Sequence, residues 1–390
     1  MYHTIFENTE VVLVLLAFIF LFIYTIQRYP IYFLLLRYFR NKPDEKYLPS
    51  LSVVITTHNC NTVNREYIEK IVTQDYPHFE VIVVDTDSSG QNTELLKLLE
   101  QRYVNLSHTF IPASCRGLSA GKLAITLGAR RAQNEWIVLT EADCFPVTSD
   151  WLKGIGQACA SDKDLVIGFT GYEQPTTFFE KRIKADRFVE SLRQIHSVGW
   201  RNRRKATGGT LGNLAFRRSK FLEQKGFYDN LLFLGGEELF LVKDIASRGR
   251  CAVVCDRKTH VIQEMPSIPH LWNQHKISLS NASSYMSLKF HFERIWWAIG
   301  TIANLCWTIT IVYLVYQLLM SDYLIPAICV LLIWFFQQLM DQYILSVSSS
   351  RLGQKNSHWA MYLNKWMHPF GELYYKMTAL KHRRDLKRGF

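Results

Sequence analysis

Paired cysteines are nearly missing from this chain. Its 8 cysteines are scattered, and the only close pair in the polar central region is Cys251 and Cys255. A zinc site needs two such pairs, or histidines in register with one. Free buried thiols in a reducing compartment are therefore strongly favoured over a zinc site. Nucleic-acid-binding motifs are missing too, although the net charge is +11. No nucleic-acid partner is expected, and anionic lipid accounts better for the basic balance. No Lys or Arg precedes Val11, and no small-residue cleavage site follows the first apolar run. Both absences disfavour a removable signal peptide and favour a retained anchor.

What the sequence does have is long apolar runs at its two ends. Val11 to Ile26 carries no charge, Ile295 to Met320 is apolar with few interruptions, and Tyr323 to Val347 follows after only Ser321 and Asp322. A membrane span takes about 20 mostly apolar residues, so one N-terminal and two C-terminal transmembrane helices are expected. Arg28, Arg37, Arg40, Lys42 and Lys46 follow the first run, the Ser321-Asp322 tip has no positive charge, and Lys381 to Arg388 is strongly basic. The positive-inside rule then places the central region and the tail in the cytoplasm, on a multi-pass protein of the cell's inner (plasma) membrane. Four segments result: an anchor and basic linker over 1–46, a folded domain over 47–290, a transmembrane hairpin over 291–348 and a basic, aromatic interfacial tail over 349–390.

The domain reads as α/β. Leu51 to Thr56, Glu80 to Val84, Val104 to Ile111 and Trp136 to Leu139 have the composition of strands. Asn64 to Gln74, Thr93 to Arg102 and Ser119 to Ala132 have helical spacing between them. Strand and helix alternating in this order make a doubly wound sheet, which binds ligands at the C-terminal ends of its strands. Three such ends are polar: Thr56 to Asn59, Asp85 to Asp87 and Glu141 to Asp143. Each is also ordinary turn chemistry. Glu141 and Asp143 repel each other unless a cation lies between them, and a hard divalent ion would complete its shell with phosphate and water. Two solvated loop acids are the competing reading.

Taken together, these segments resemble a family 2 glycosyltransferase of the GT-A fold, an inverting class that uses nucleotide-sugar donors. The resemblance covers roughly Leu51 to Tyr285. It implies that Thr56 and His58, in Ser-Val-Val-Ile-Thr-Thr-His-Asn, touch the donor base, and that Asp85 and Asp87 meet uracil or ribose. Lys122 stands in the Gly-Lys helix start, and Glu141-Ala142-Asp143 stands at the Asp-x-Asp metal motif. Asp143 is then the direct ligand of Mg²⁺ or Mn²⁺, with His260 a candidate third ligand or a structural histidine. Gly212 to Ser219 resembles the acceptor-side segment, and Gly235-Gly236-Glu237-Glu238 replaces the family's Glu-Asp before a helix. Glu238 matches the catalytic base, and Glu237 would hold the acceptor or share that role.

Chemistry agrees with the resemblance. Inversion needs a carboxylate to take the proton of the attacking hydroxyl and a Lewis acid for the departing diphosphate. Paired glutamates in a first helical turn are also favoured by the helix dipole alone. Gln274 is retained from the Gln-x-x-Arg-Trp motif of processive members, but Ile277 and Ser278 replace its Arg and Trp. Lys276 or His275 would have to supply the phosphate contact. Single or few additions to a membrane lipid or lipid-linked glycan are therefore expected, from a UDP-sugar first among donors. The alternatives are a processive polysaccharide synthase subunit, and a non-catalytic membrane scaffold or glycan-binding protein. Arg201 to Lys205 is a basic loop that closes over diphosphate, meets lipid phosphate or is simply solvated. Ile183 to Ser197 is an amphipathic helix for the bilayer surface or for the sheet.

Overall fold

The structure, a computed structural model, describes residues 11–27, 29, 48–57, 63–86, 92–111, 118–199, 204–266, 269–354 and 358–381. His58, Asp87, residues 201–203 of the basic loop and the basic residues after Lys381 lie outside the described residues, as does the linker through Lys46.

Four strands form a parallel block: β1 (Leu51–Thr56), β2 (Phe79–Asp85), β3 (Leu106–Phe110) and β4 (Trp136–Glu141). Between them run α2 (Arg65–Val72), α3 (Thr93–Arg102) and α4 (Ala120–Arg131). These elements match the expected alternation within a few residues at each boundary. The chain then adds β5 (Cys144–Pro146), α5 (Trp151–Ala158), β6 (Leu165–Gly168), β7 (Thr170–Tyr172), α6 (Phe178–Val198), β8 (Leu214–Arg217), α7 (Arg218–Glu223), α8 (Glu237–Ile245), β9 (Cys251–Val254) and β10 (Val261–Gln263). The main sheet runs β3-β2-β1-β4-β8-β6-β9, with β8 antiparallel to β4 and β6, and a small second sheet runs β5-β10-β7. β1 is buried at every position, as its unbroken apolar sequence requires of a strand covered on both faces. Because β2 and β4 flank β1 on opposite sides, the order reverses there and opens a crevice at the strands' C-terminal ends.

Four helices complete the described chain: α9 (Pro269–Ser283), α10 (Leu288–Met320), α11 (Leu324–Arg351) and α12 (His358–Lys381). Helices α10 and α11 are long and apolar enough to cross a membrane. The N-terminal helix, α1 (Val11–Gln27), falls short of that length. At 1.5 Å per residue it covers about 25 Å, against a hydrocarbon core of about 30 Å. The described part of the expected first span is thus a short helix. It is tied to the others by polar groups: the Tyr24 hydroxyl donates to Asp341 of α11 at 2.6 Å, and Lys365 of α12 pairs with the same carboxylate at 2.6 Å.

The amphipathic run expected near Ile183 is α6, and its apolar face is covered by protein rather than lipid. Ile183 packs with Tyr172 and Trp272, while Phe188, Val189, Leu192 and Ile195 pack with Trp297, Leu345 and Met361 of α10, α11 and α12. One helix therefore joins the mixed sheet to the apolar hairpin.

Candidate active site

The crevice is built first by β1 and β4. Thr56 lies opposite Glu141 in register, and the Ala142 N–H donates to the Thr56 carbonyl at 3.0 Å. Thr56 itself is buried. Its neighbour Thr57, which sequence reasoning passed over, donates its hydroxyl to Asp85 Oδ1 at 2.8 Å, and Asn92 donates to the same oxygen at 3.3 Å. Asp85 is thus fixed at the end of β2. Asn and Thr in turn positions raised no signal beyond turn formation, so these two supports were not distinguishable from loop residues.

Glu141 and Asp143 come together as expected. Their carboxylates and the Cys144 thiol offer ligand atoms all within 4.8 Å of one another. Burial, then the charge of Asp143, pushes the Glu141 carboxyl well above its ordinary range. Burial likewise raises Asp143, although hydrogen bonds from Gln263 and Cys144 oppose the rise. Two carboxylates held together at such a cost are what a divalent cation neutralises. The acids therefore fit such an ion. Cys144 does not suit a hard ion, because such ions take oxygen ligands and a thiol offers soft sulfur.

Gln263, also missed in the sequence, organises the acids. Its Nε2 donates to Asp143 Oδ2 at 3.0 Å and to Glu141 Oε2 at 3.4 Å. Its Oε1 accepts from Arg187 Nη2 at 3.1 Å, and the same guanidinium nitrogen donates to the Tyr172 hydroxyl at 2.7 Å. Pairing of β10 with β5 puts Gln263 opposite Cys144 and so beside Asp143. Only this strand pairing makes Gln263 a site neighbour; nothing in its local sequence signals it.

His260 sits at the other end of that pairing. Its backbone carbonyl accepts from the Val147 N–H, its Nε2 is 3.1 Å from the Cys255 carbonyl, and its ring leans on Phe169. The acid cluster does not include it. Burial pushes its pKa down to about 4, so the ring is a neutral packing group at ordinary pH.

Glu237 and Glu238 open α8 behind Gly235 and Gly236, both in the left-handed region at φ 74° and 71°. A Cβ on Gly235 would lie 1.9 Å from Ser278 Oγ, and one on Gly236 would lie 2.3 Å from Ala282 Cβ. The double glycine thus allows α9 to pack directly on this turn. The two glutamates then diverge. Glu237 accepts the Ser119 hydroxyl at 2.8 Å. Glu238 faces a cavity of about 550 Å³, with His275 Nε2 at 3.8 Å from one oxygen and the other, Oε2, buried without a hydrogen-bond partner. Burial, then the charge of Glu237, pushes the Glu238 carboxyl up to about 7.

Three expected donor contacts are placed differently from one another. Lys122 is fully buried and donates to the carbonyls of Asn230 and Gly235, each at 3.1 Å, and to that of Phe233. Its ammonium braces the loop entering α8 instead of pointing into the crevice. Lys276 pairs with Asp186 and lines the cavity, whereas Gln274 on the same helix is exposed and does not line it. Replacing Lys122 with Met leaves three carbonyls without their donor. It should lower the unfolding free energy by about 3 kcal/mol, measured by denaturant titration of the detergent-purified protein; an unchanged midpoint would mean that the brace is dispensable.

Residues 52–225 match the model of glycosyl transferase family 2. No curated protein sequence matches the chain. Among solved structures, the chain is similar to a mannosyltransferase from Pyrobaculum calidifontis in complex with GDP-Man and Mn2+, with 16% identity and a TM-score of 0.53 over 94% of this chain and 99% of that one. It also aligns with S. aureus TarS 1-349 at 14% identity and a TM-score of 0.39, over 83% of this chain and 92% of that one. The first likeness extends across the mixed sheet and shows a shared fold.

Proposed function

Taking as premise a chain that belongs, through residues 52–225, to glycosyl transferase family 2, we propose an inverting enzyme that moves a sugar from a nucleotide-diphosphate donor to a membrane-associated acceptor. The observation that carries this reading is the arrangement of two acid groups on one crevice. Glu141 and Asp143 lie at the end of β4, Glu238 faces the adjoining cavity, and Arg187 lines that cavity while bonding Gln263 of the acid cluster.

The roles divide by position. Thr56 and Asp85 receive the nucleoside at the ends of β1 and β2. Asp143, with Glu141 beside it, would hold Mg²⁺ or Mn²⁺; once bound, such an ion supplies Lewis-acid stabilisation of the leaving diphosphate. The acceptor hydroxyl gives its proton to Glu238, whose unpartnered Oε2 is the available acceptor atom. As the oxygen bonds to the anomeric carbon, the bond from that carbon to the diphosphate breaks, and its electron pair leaves with the nucleoside diphosphate. Glu237, held by Ser119, contributes negative charge that raises the basicity of its neighbour.

The membrane assignment belongs to the same proposal. Helices α10 and α11 would form the spanning hairpin, with α1 lying against them and the 47–290 domain on the cytoplasmic face. Departure from the processive motif at Ile277 and Ser278 supports single or few additions; Ser278 here donates its hydroxyl to the Leu234 carbonyl at 2.8 Å.

A donor screen tests the reading. Nucleotide release is measured from UDP-, GDP- and TDP-sugars with Mg²⁺ or Mn²⁺. One donor class should be turned over, with release lost on chelation. No release from any donor would favour a non-catalytic scaffold.

A further inference from the structure

The cavity in front of Glu238 does not stop at the sheet. It runs between α6, α9 and α12, and its outer wall includes Phe179, Met367, Phe370 and Tyr374. On α12 these residues belong to a longer apolar row. Leu363, Met367, Phe370, Tyr374 and Met377 are each 41% to 65% exposed, and their spacing of three and four residues puts them on one side of the helix. The opposite side is anchored in protein. Glu372 accepts from Arg193 of α6 and from Arg294 of α10, and Tyr375 donates to Asn273 of α9 at 3.1 Å. Helix α12 also packs on α10 and α11, the two helices long enough to cross a bilayer. An exposed apolar row continuous with such helices faces lipid, and the mouth of the cavity opens onto that row.

The inner part of the cavity has the opposite character. Its cations are Arg182, Arg187, Lys276 and Arg294, and its carboxylates are Asp186, Glu190, Glu238 and Glu372. They balance one for one, and two of the cations are ion-paired with two of the carboxylates. Lys276 pairs with Asp186, Arg294 with Glu372 at 2.8 Å, and Arg187 is engaged by Tyr172 and Gln263. Burial alone would raise the Asp186 carboxyl, but the charges of Lys276 and His368 more than offset it and hold it far below the ordinary range. Among the described residues, two lining cations have no carboxylate in ion-pair reach: Arg187, which is held by Tyr172 and Gln263, and Arg182, which lies at the mouth beside Gly371. A phosphate is best held by several converging cations; here Lys276 and Arg294 are neutralised by carboxylates, Arg187 is held by Tyr172 and Gln263, and Arg182 stands apart at the mouth. Neutral hydrogen-bonding groups, Thr210, Asn273 and Ser280, are present with the aromatic rings of Trp272 and Tyr375, a lining suited to a polyhydroxyl head.

We infer that this cavity is a lateral acceptor site for an amphiphile with an uncharged, hydroxyl-bearing head, whose head reaches Glu238 and whose tail leaves along the Leu363–Met377 side of α12. The volume of about 550 Å³ is within the range of small-molecule sites. The inference rests on Glu238 as the base of the proposed reaction, and it narrows the acceptor from any membrane glycan or lipid to the uncharged class.

Two probes with the same diazirine-bearing alkyl chain test it, one an alkyl β-glucoside and one an alkyl phosphate. Each is photolysed with the full-length protein in phosphatidylcholine vesicles, and labelled peptides are mapped. The glucoside should label the α12 peptide holding Met367, Phe370 and Tyr374, excess octyl glucoside should suppress that label, and the phosphate probe should label it about tenfold less, a difference of about 1.4 kcal/mol. In Phe370→Glu, glucoside labelling should fall by a similar factor. Equal or stronger labelling by the phosphate probe, or labelling by both confined to α10 and α11, overturns the inference, and neither result depends on a variant folding. Nucleotide release by the same preparation without any probe separates the two levels. Release with no cavity labelling sinks the acceptor site alone, whereas labelling without release from any donor counts against the transferase reading and leaves a glycolipid-binding cavity.

Discussion

Replacing Asp143 with Ala should reduce nucleotide release and sugar transfer together by about 10³-fold, which corresponds to about 4 kcal/mol of transition-state stabilisation. The expectation follows from position. Asp143 has one oxygen on Gln263 and another toward the Cys144 thiol, with Glu141 alongside. Its side chain can be removed without unmaking the strand pairing, because its contribution there is the backbone carbonyl that accepts the Glu264 N–H at 2.9 Å. The variant should therefore fold, and relief of the repulsion with Glu141 should leave it at least as stable without metal. Thermal unfolding with and without Mn²⁺ supplies a readout independent of turnover: the ion should raise the midpoint of the unaltered protein and not of the variant. Full activity in Asp143→Ala would remove the acid pair from the mechanism.

The second large effect belongs to Glu238→Gln. The amide keeps the shape and cannot take a proton, so transfer should fall by 10²- to 10⁴-fold, the usual contribution of a positioned base. Its pH dependence gives a sharper test. The Glu238 carboxyl is raised to about 7 by burial and then by Glu237. A base works when deprotonated, so kcat/KM should be level above that value and fall about tenfold per pH unit below it. In the Gln variant the residual rate should lose this acidic limb. A limb that persists unchanged in Glu238→Gln would assign the titration to another group. Glu237→Gln provides the contrast, because Glu237 bonds Ser119 and its charge raises the proton affinity of Glu238. Its removal should shift the limb toward lower pH, since a neighbouring negative charge is one cause of the raised value.

The strand ends were legible because their pattern is local. An unbroken apolar run such as Leu51–Thr56 has one strong reading, and an acidic pair directly after Trp136 to Thr140 falls at the sheet edge in any doubly wound order. Gln263 and Arg187 were not legible. Each reaches the acids through pairings between segments more than 70 residues apart in sequence, as the 76-residue separation of the Arg187–Gln263 bond illustrates. Lys122 shows the converse. Its place after a glycine at a helix start suggested a ligand contact, yet a long side chain can turn inward, and here three carbonyls of a remote loop capture it. For α6 the sequence left lipid and the sheet as partners of its apolar face, with the sheet the commoner case. The partners proved to be Trp297, Leu345 and Met361, which come from helices much later in the chain.

That placement of α6 has a geometric consequence. The helix is bonded on one side to the active-site crevice through Arg187 and on the other to the C-terminal helices through Arg193 and Glu372. If α10 and α11 lie in a bilayer, the crevice stands at a set height above it, and the protein works as a ruler. Two amphiphiles with identical heads but spacers of different length would then be unequal substrates, because only one presents its hydroxyl at the level of Glu238.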